Sequence, residues 1–290
     1  DMGDSKGAIE DNSVAIRLAP SYFGAYYNRA FELSKINNDK AAIVDYTKAI
    51  ELKPNLRDGY YNRGWSREAI GDKSGAIADY TQAINLDSKF AKAYWGRGAV
   101  YVDCNNREKA MADYEHMVAL YPRDAQSYSQ RSYASFMFGD SKAAISDLTK
   151  AITINPADTS FYTQRASSQE NLGNLRAAVE DYTQAVLLKP RVASTYCQRG
   201  SVLQKLGDNA GALADFNWAL ILDPHCAAAY DGRGNLKSEG KTKTDSIAAI
   251  EEYSKGVSAD PNYAGCFANR AYEKMRLKDN RCALVDFEQL

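Results

Sequence analysis

The sequence is short of histidine, of charge imbalance and of long apolar runs, and each shortage removes a class of function. Only two histidines occur in 290 residues, His116 and His225, so a histidine-based acid–base pair or metal cluster lacks members. Lysine and arginine total 36 against 37 aspartates and glutamates, a net charge of −1 that exerts no general pull on phosphate backbones or anionic lipid. Nucleic acid is therefore not an expected partner. The longest apolar stretches, such as Trp218 to Leu222, fall far short of the roughly 20 residues that cross a bilayer, so no membrane insertion is expected. Five cysteines (Cys104, Cys197, Cys226, Cys266, Cys282) are odd in number and irregularly spaced, with no Cys-x-x-Cys, Cys-x-x-His or His-x-x-x-His cluster. Neither a disulfide framework nor a zinc site follows, and with no Asn-x-Ser/Thr acceptor the expectation is a reducing, cytoplasmic setting with buried or inert thiols.

What the sequence does have is a period of 34. Tyr26, Tyr60, Tyr94, Tyr128, Tyr162, Tyr196 and Tyr230 recur at that interval, each followed three residues later by arginine, from Arg29 to Arg233. An eighth copy, Phe267 and Arg270, is displaced by three residues, and Lys241 to Thr244 read as the lengthened turn that displaces it. Four residues after each stripe aromatic stands a small residue (Ala30, Gly64, Gly98, Ser132, Ala166, Gly200, Gly234, Ala271), a helical spacing that makes one packing seam. A second helical stretch carries Ala42, Ala76, Ala110, Ala144, Ala178, Ala212, Ala249 and Ala283, each with Tyr, Phe or Leu four residues later. Between the two stretches stand Gly71-Asp72, Gly139-Asp140, Gly173-Asn174 and Gly207-Asp208, with Asn37-Asn38 and Asn105-Asn106 in their place elsewhere, residues that tolerate the left-handed conformation ending a helix. Pro20, Pro54, Pro122, Pro156, Pro190, Pro224 and Pro261 close the second stretch. Ser88 replaces one of these prolines and Met117 one of the small residues, which predicts looser packing between the second and third units.

Tyrosine, small residue, Gly-Asp turn, alanine, tyrosine, alanine and proline at these offsets resemble the tetratricopeptide repeat (TPR) family over essentially the whole chain. The resemblance implies an all-α fold, an α-solenoid in which stacked 34-residue helix hairpins form a right-handed superhelix with first helices on the concave face. Physics independently favours stacking, because one such hairpin cannot bury its seam alone. The expected organisation is a single array over 1–290: a second helix alone at 1–22, repeats at 23–56, 57–90, 91–124, 125–158, 159–192, 193–226 and 227–263, and a cut repeat at 264–290. Incomplete repeats at both ends lead us to expect a piece of a longer chain.

No catalytic constellation or cofactor motif emerges. Gly240-Lys241-Thr242 ends like a phosphate-binding loop, but Asn235 stands where the first glycine belongs, and Gly96-x-Gly98 and Gly232-x-Gly234 lie within helices. An acid series, Asp45, Asp79, Asp113, Asp147, Asp181, Asp215, Glu252 and Asp286, keeps the register of the arginines. The expected arrangement is a ladder of ion pairs, in which removing Asp147 from a partly buried rung costs about 3 to 5 kcal/mol. The alternative is an arginine row facing an acidic partner.

If first helices line a groove, its residues stand one, two, five and eight after the stripe tyrosine. In the first four repeats these include Tyr27, Asn28, Phe31, Tyr61, Asn62, Trp65, Trp95, Tyr133 and Phe136, the candidate partner-binding set. In later repeats the row turns polar, with Thr163, Gln164, Ser167, Glu170, Cys197, Gln198, Ser201, Gln204, Asp231 and Asn235. Rigid aromatics beside amides suit an extended peptide. The carboxylate clamp by which some TPR proteins hold a chaperone tail is not expected, because Tyr27 and Phe31 replace its lysine and second asparagine. The expected function is a non-catalytic scaffold or adaptor holding a protein or peptide in the concave groove. The alternatives are a structural subunit embedded in a large multi-subunit assembly and the substrate-recognition arm of an enzyme whose catalytic domain lies outside this segment.

Overall fold

The computed structural model describes residues 2–289, and among them it contains 17 α-helices and no strand. Two compact units divide between Asp140 and Ser141. The first holds α1 (Met2–Leu18), α2 (Phe23–Lys35), α3 (Asp39–Leu52), α4 (Arg57–Ala69), α5 (Lys73–Leu86), α6 (Ala91–Asp103), α7 (Arg107–Leu120) and α8 (Ala125–Met137). The second holds α9 (Ser141–Ile154), α10 (Thr159–Asn171), α11 (Leu175–Leu188), α12 (Ala193–Lys205), α13 (Asn209–Leu222), α14 (Ala227–Ser238), α15 (Lys243–Ala259), α16 (Ala264–Arg276) and α17 (Asn280–Phe287). Within each unit an odd-numbered helix packs on the even-numbered helix before it and on the one after it, so every interior hairpin is covered by a neighbour.

The core of this packing is an aromatic ring set between two small residues. Tyr80 of α5 is fully buried, and side-chain carbons at Gly64 of α4 or Gly96 of α6 would meet its ring at 2.9 and 2.7 Å. Phe216 of α13 stands likewise against Gly200 of α12 and Gly232 of α14. The small residues read from the sequence as sites of close backbone approach are, in the structure, the sockets for these rings.

The turns follow the residue types. Gly71, Gly139, Gly173 and Gly207 take φ of +82°, +78°, +77° and +83°, and Asn37 and Asn105 take 59° and 53°. The aspartate after the glycine starts the next helix, since Asp72 accepts from Gly75 N and Asp208 from Gly211 N, both at 2.9 Å. Lys278 occupies the same left-handed position at φ 65° with a side chain that gains nothing there. Lys278→Gly is expected to raise stability by about 0.5 to 1 kcal/mol in urea denaturation, a relief of strain that Lys278→Ala would not give.

Two expectations need correction. The extra three residues before the eighth repeat lengthen a helix rather than a turn: α15 has 17 residues against 14 in α13, and Lys243 and Thr244 already lie in it. Its start is fixed by a capping box in which Thr242 and Asp245 exchange hydrogen bonds. Nor is the packing loose at Ser88 and Met117. Met117 is buried with Ile84, Tyr94 and Tyr114, its flexible thioether filling the space of the missing alanine. Ser88 supplies what proline supplies elsewhere, a backbone carbonyl: Tyr94 Oη donates to Ser88 O at 3.3 Å, as Tyr128 does to Pro122 O and Tyr196 to Pro190 O.

Candidate functional site

The recurring arginines are engaged inside the fold. Arg63 of α4 donates Nε to Asp79 Oδ2 at 2.9 Å and Nη2 to Asp79 Oδ1 at 2.7 Å, a two-point pair with the second helix of its own hairpin. Arg29 and Asp45, Arg97 and Asp113, Arg165 and Asp181, Arg199 and Asp215, and Arg270 and Asp286 repeat it. These carboxylate bonds raise the pKa of Arg29, Arg97, Arg165 and Arg199 against the opposing effect of burial. The third donor, Nη1, reaches back to a hydroxyl on the preceding hairpin: Ser13, Thr47, Thr81, Thr149, Thr183 and Ser254 accept at 3.0 to 3.2 Å. Those hydroxyls donate their own hydrogen four residues back, as Thr47 does to Ile43 O, which leaves a lone pair for the arginine.

The sequence reading did not single out this hydroxyl series, although it keeps the same register, because a threonine beside a buried tyrosine reads as a solvated face. At the displaced repeat the pattern bends. Arg233 Nε lies 3.1 Å from Glu252 Oε2 but is not aimed along a hydrogen bond, and both atoms are buried. Glu252 also receives Lys237 and Lys255, each at 2.9 Å; burial pushes its pKa up, and these two lysines more than reverse the shift.

The candidate groove residues divide into two sets. Trp65 of α4 and Trp95 of α6 stack with centroids 5.7 Å apart and an interplanar angle of 29°. Together with Phe31, Ser34, Lys35, Tyr61, Asn62 and Lys92 they line a cleft of about 440 Å³. A second cleft of about 310 Å³ continues along Tyr61, Lys92 and Trp95 toward Met117, Gln126 and Gln130. Trp95 Nε1 donates to Gln130 Oε1 at 2.8 Å, and Tyr61 is steadied edge-on by Phe90 at 5.3 Å. Tyr27 joins the site indirectly: its hydroxyl accepts from Asn62 Nδ2 at 2.9 Å, and its ring packs on Tyr46. This bond uses one amide hydrogen of Asn62.

Asn28, Tyr133 and Phe136 do not line either cleft. Asn28 and Tyr133 are exposed beyond it, and Phe136 is half-buried on α8. The residues that sequence reasoning did not name are Ser34, Lys35, Lys92, Gln126 and Gln130; Ser34 and Gln130 do stand eight and two after a stripe tyrosine, Gln130 in register with Gln164 and Gln198, whereas Lys35, Lys92 and Gln126 stand outside those positions. Electrostatically the larger cleft has two ammonium groups and no carboxylate in its wall; Lys35 is held by Glu32 at 2.9 Å, while Lys92 is exposed. In the smaller cleft Asp124 is occupied in capping α8, accepting from Ser127 N and Oγ at 2.8 and 2.6 Å.

Among the described residues there is no group of three or more His, Cys, Asp or Glu able to hold a metal, and no helix is long and apolar enough to cross a membrane. Of the five cysteines, Cys104 and Cys282 are exposed, and the Cys197 and Cys226 sulfurs lie 3.2 Å apart.

None of the curated proteins compared matches the chain. Among solved structures, a tetratricopeptide repeat protein from Parabacteroides merdae is 18% identical with a TM-score of 0.65, covering 87% of this chain and 98% of its own. Yeast Tom70 is 17% identical with a TM-score of 0.64, covering 99% of this chain and 81% of its own. YrrB, described as a TPR protein with an unusual peptide-binding site, is 23% identical with a TM-score of 0.51, covering 65% of this chain and 97% of its own. At these identities the likeness is one of fold. Family models described as tetratricopeptide repeat match residues 23–56, 91–124, 125–158, 159–191 and 197–264, and one described as TPR repeat matches 69–103. With the 34-residue period, the paired helices and these matches in agreement, the chain belongs to the tetratricopeptide repeat family.

Proposed function

We propose that this chain is a protein-interaction scaffold that holds an extended polypeptide segment along α4, α6 and α8, with no chemistry of its own. The observation that carries the reading is the Trp65–Trp95 stack: Trp65 remains 45% exposed in the larger cleft, and Trp95, with Tyr61 and Lys92, lines both clefts. Such rings offer large contact area with little rotamer freedom to lose, and Gln126, Gln130 and Asn62 offer amide groups to a peptide backbone. The ammonium groups of Lys35 and Lys92 favour a segment with an acidic side chain next to an apolar one. The peptide-binding site named for YrrB is in keeping with this use of the fold.

The test is selection from a displayed random-peptide library on the full chain, followed by titration of the selected sequence. Micromolar affinity is expected, with enrichment of acidic and apolar residues, and Tyr61→Ala or Trp95→Ala weakens binding at least about tenfold. Unchanged affinity in both variants places the partner elsewhere.

A second reading, a subunit embedded in an assembly, rests on α13, where Leu213, Trp218 and Ile221 are all exposed. Salt-resistant co-purification in fixed stoichiometry would favour it over exchangeable peptide binding.

A further inference from the structure

Cys197 and Cys226 lie 29 positions apart in a sequence whose period is 34, and no motif links them. The fold brings them together. Cys197 is buried on the fifth position of α12, and Cys226 is the residue that starts α14, half-buried at the surface of the same apolar cluster, with Val186, Tyr196, Phe216 and Ala229. Their sulfurs, 3.2 Å apart, already stand inside ordinary sulfur–sulfur contact, and Cys226 is the one with access to solvent.

The two thiols differ in character. A hydrogen bond links the two sulfurs, either of which can donate, and Cys226 stands at the N-terminal start of α14, where the helix dipole favours a thiolate. The contact with Cys197 draws the Cys226 thiol below its ordinary range, and burial opposes it. The contact with Cys226, burial and the nearby Asp215 and Asp223 push the Cys197 thiol upward. Cys226, at the helix start with access to solvent, is therefore the sulfur a small oxidant reaches first, and the buried Cys197 stands behind it.

We propose that Cys197 and Cys226 form an oxidation site for hydroperoxides, with Cys226 the attacking sulfur and Cys197 the one that closes a disulfide between α12 and the start of α14. In the first step the Cys226 thiolate attacks the peroxide: an S–O bond forms, the O–O bond breaks, and the alkoxide leaves and takes up a proton. Sulfur loses two electrons to become a sulfenic acid and the peroxide is reduced to an alcohol, or to water from hydrogen peroxide. In the second, Cys197 sulfur attacks Cys226 sulfur as its own proton departs; the S–S bond forms, the S–O bond breaks, and hydroxide leaves with that proton as water. The closing distance is about 1.2 Å, from the present contact to a bond of about 2.05 Å. The site does not depend on the peptide reading, since its residues lie in the second unit.

The experiment is carried out on the full reduced chain with equimolar hydrogen peroxide at pH 7, followed by iodoacetamide and peptide mass mapping. A cross-linked peptide pair carrying Cys197 and Cys226, lighter by two hydrogens, is expected, formed at least about fivefold faster than oxidation of the exposed Cys104. In Cys197→Ser, whose folding is checked by its helical circular dichroism, Cys226 stops at the sulfenic acid and is trapped by dimedone. In Cys226→Ser, Cys197 stays reduced. If both sulfurs remain open to alkylation while Cys104 oxidises, or if either pairs elsewhere, the proposal is overturned.

Discussion

Asp79→Ala is expected to lower the stability of the fold by about 3 kcal/mol, whereas Glu51→Ala, which removes an ion pair of similar length, changes it by less than about 0.5 kcal/mol. The difference lies in where the charges stand. Lys48 and Glu51 are about half exposed along α3, so water solvates each when the other is gone. Asp79 retains 4% of its exposure and receives Nε and Nη2 of Arg63 and Nη1 of Arg67. Its removal strands Arg63, whose side chain is only 12% exposed, and leaves Arg67 with only a longer contact to Asp72 at 3.7 Å. The burial cost of Arg63 is then uncompensated, which is the expensive case for a buried pair. Urea denaturation of both variants checks the magnitude, and amide hydrogen exchange in α4 and α5 checks the place. Equal stability in the two variants would mean that the ladder orders side chains without holding helices together.

Phe216→Ala is the larger change, at about 4 kcal/mol. Its ring is wholly buried between Gly200 and Gly232, which belong to two different helices, so truncation opens a cavity at the joint between consecutive hairpins. The same joint is intolerant in the other direction. A side chain at Gly232 would run into the Phe216 ring, and the ring cannot retreat because Gly200 lies behind it. Gly232→Val is therefore expected to cost about 3 kcal/mol by overpacking. Combined, the two substitutions partly fill each other's defect, and the double variant is more stable than the sum of the singles predicts. A double-mutant cycle by chemical denaturation measures this; additivity within about 0.5 kcal/mol would show that ring and socket do not meet as described.

Some of this was legible in the sequence because it is written in residue types that physics confines to one role. A glycine or asparagine in the left-handed conformation, as at Gly71 or Asn37, marks six of the turns, and an acid in register with an arginine, as Asp79 is with Arg63, recurs from repeat to repeat. The ladder's third contact was less legible because Thr47 and Ser13 are polar residues on a face that looks solvated until the arginine of the next hairpin arrives. The candidate site was read in part. A helical wheel places Trp65 and Trp95 on one face, and they stack there, but it has no depth, so it could not separate Tyr61 in the cleft from Tyr133 outside it. Lys92 stands outside the periodic groove positions, whereas Gln130 keeps the register of Gln164 and Gln198. The Cys197–Cys226 pair lay outside the reach of spacing altogether, because it joins a helix interior to a turn.

The backward reach of each arginine to a hydroxyl bears on how such a chain can change its length. Arg97 meets Thr81 in the preceding hairpin, and Thr47 occupies the equivalent place one hairpin earlier, where it meets Arg63. Excising residues 57–90 would present Arg97 with an identical acceptor, so loss of that whole module by unequal recombination leaves the new junction chemically matched. Glu115 and Asn217 interrupt the hydroxyl series, and cuts beside them would splice unlike neighbours. The molecule's history of duplication is thus permitted at some seams and discouraged at others by a single side-chain oxygen.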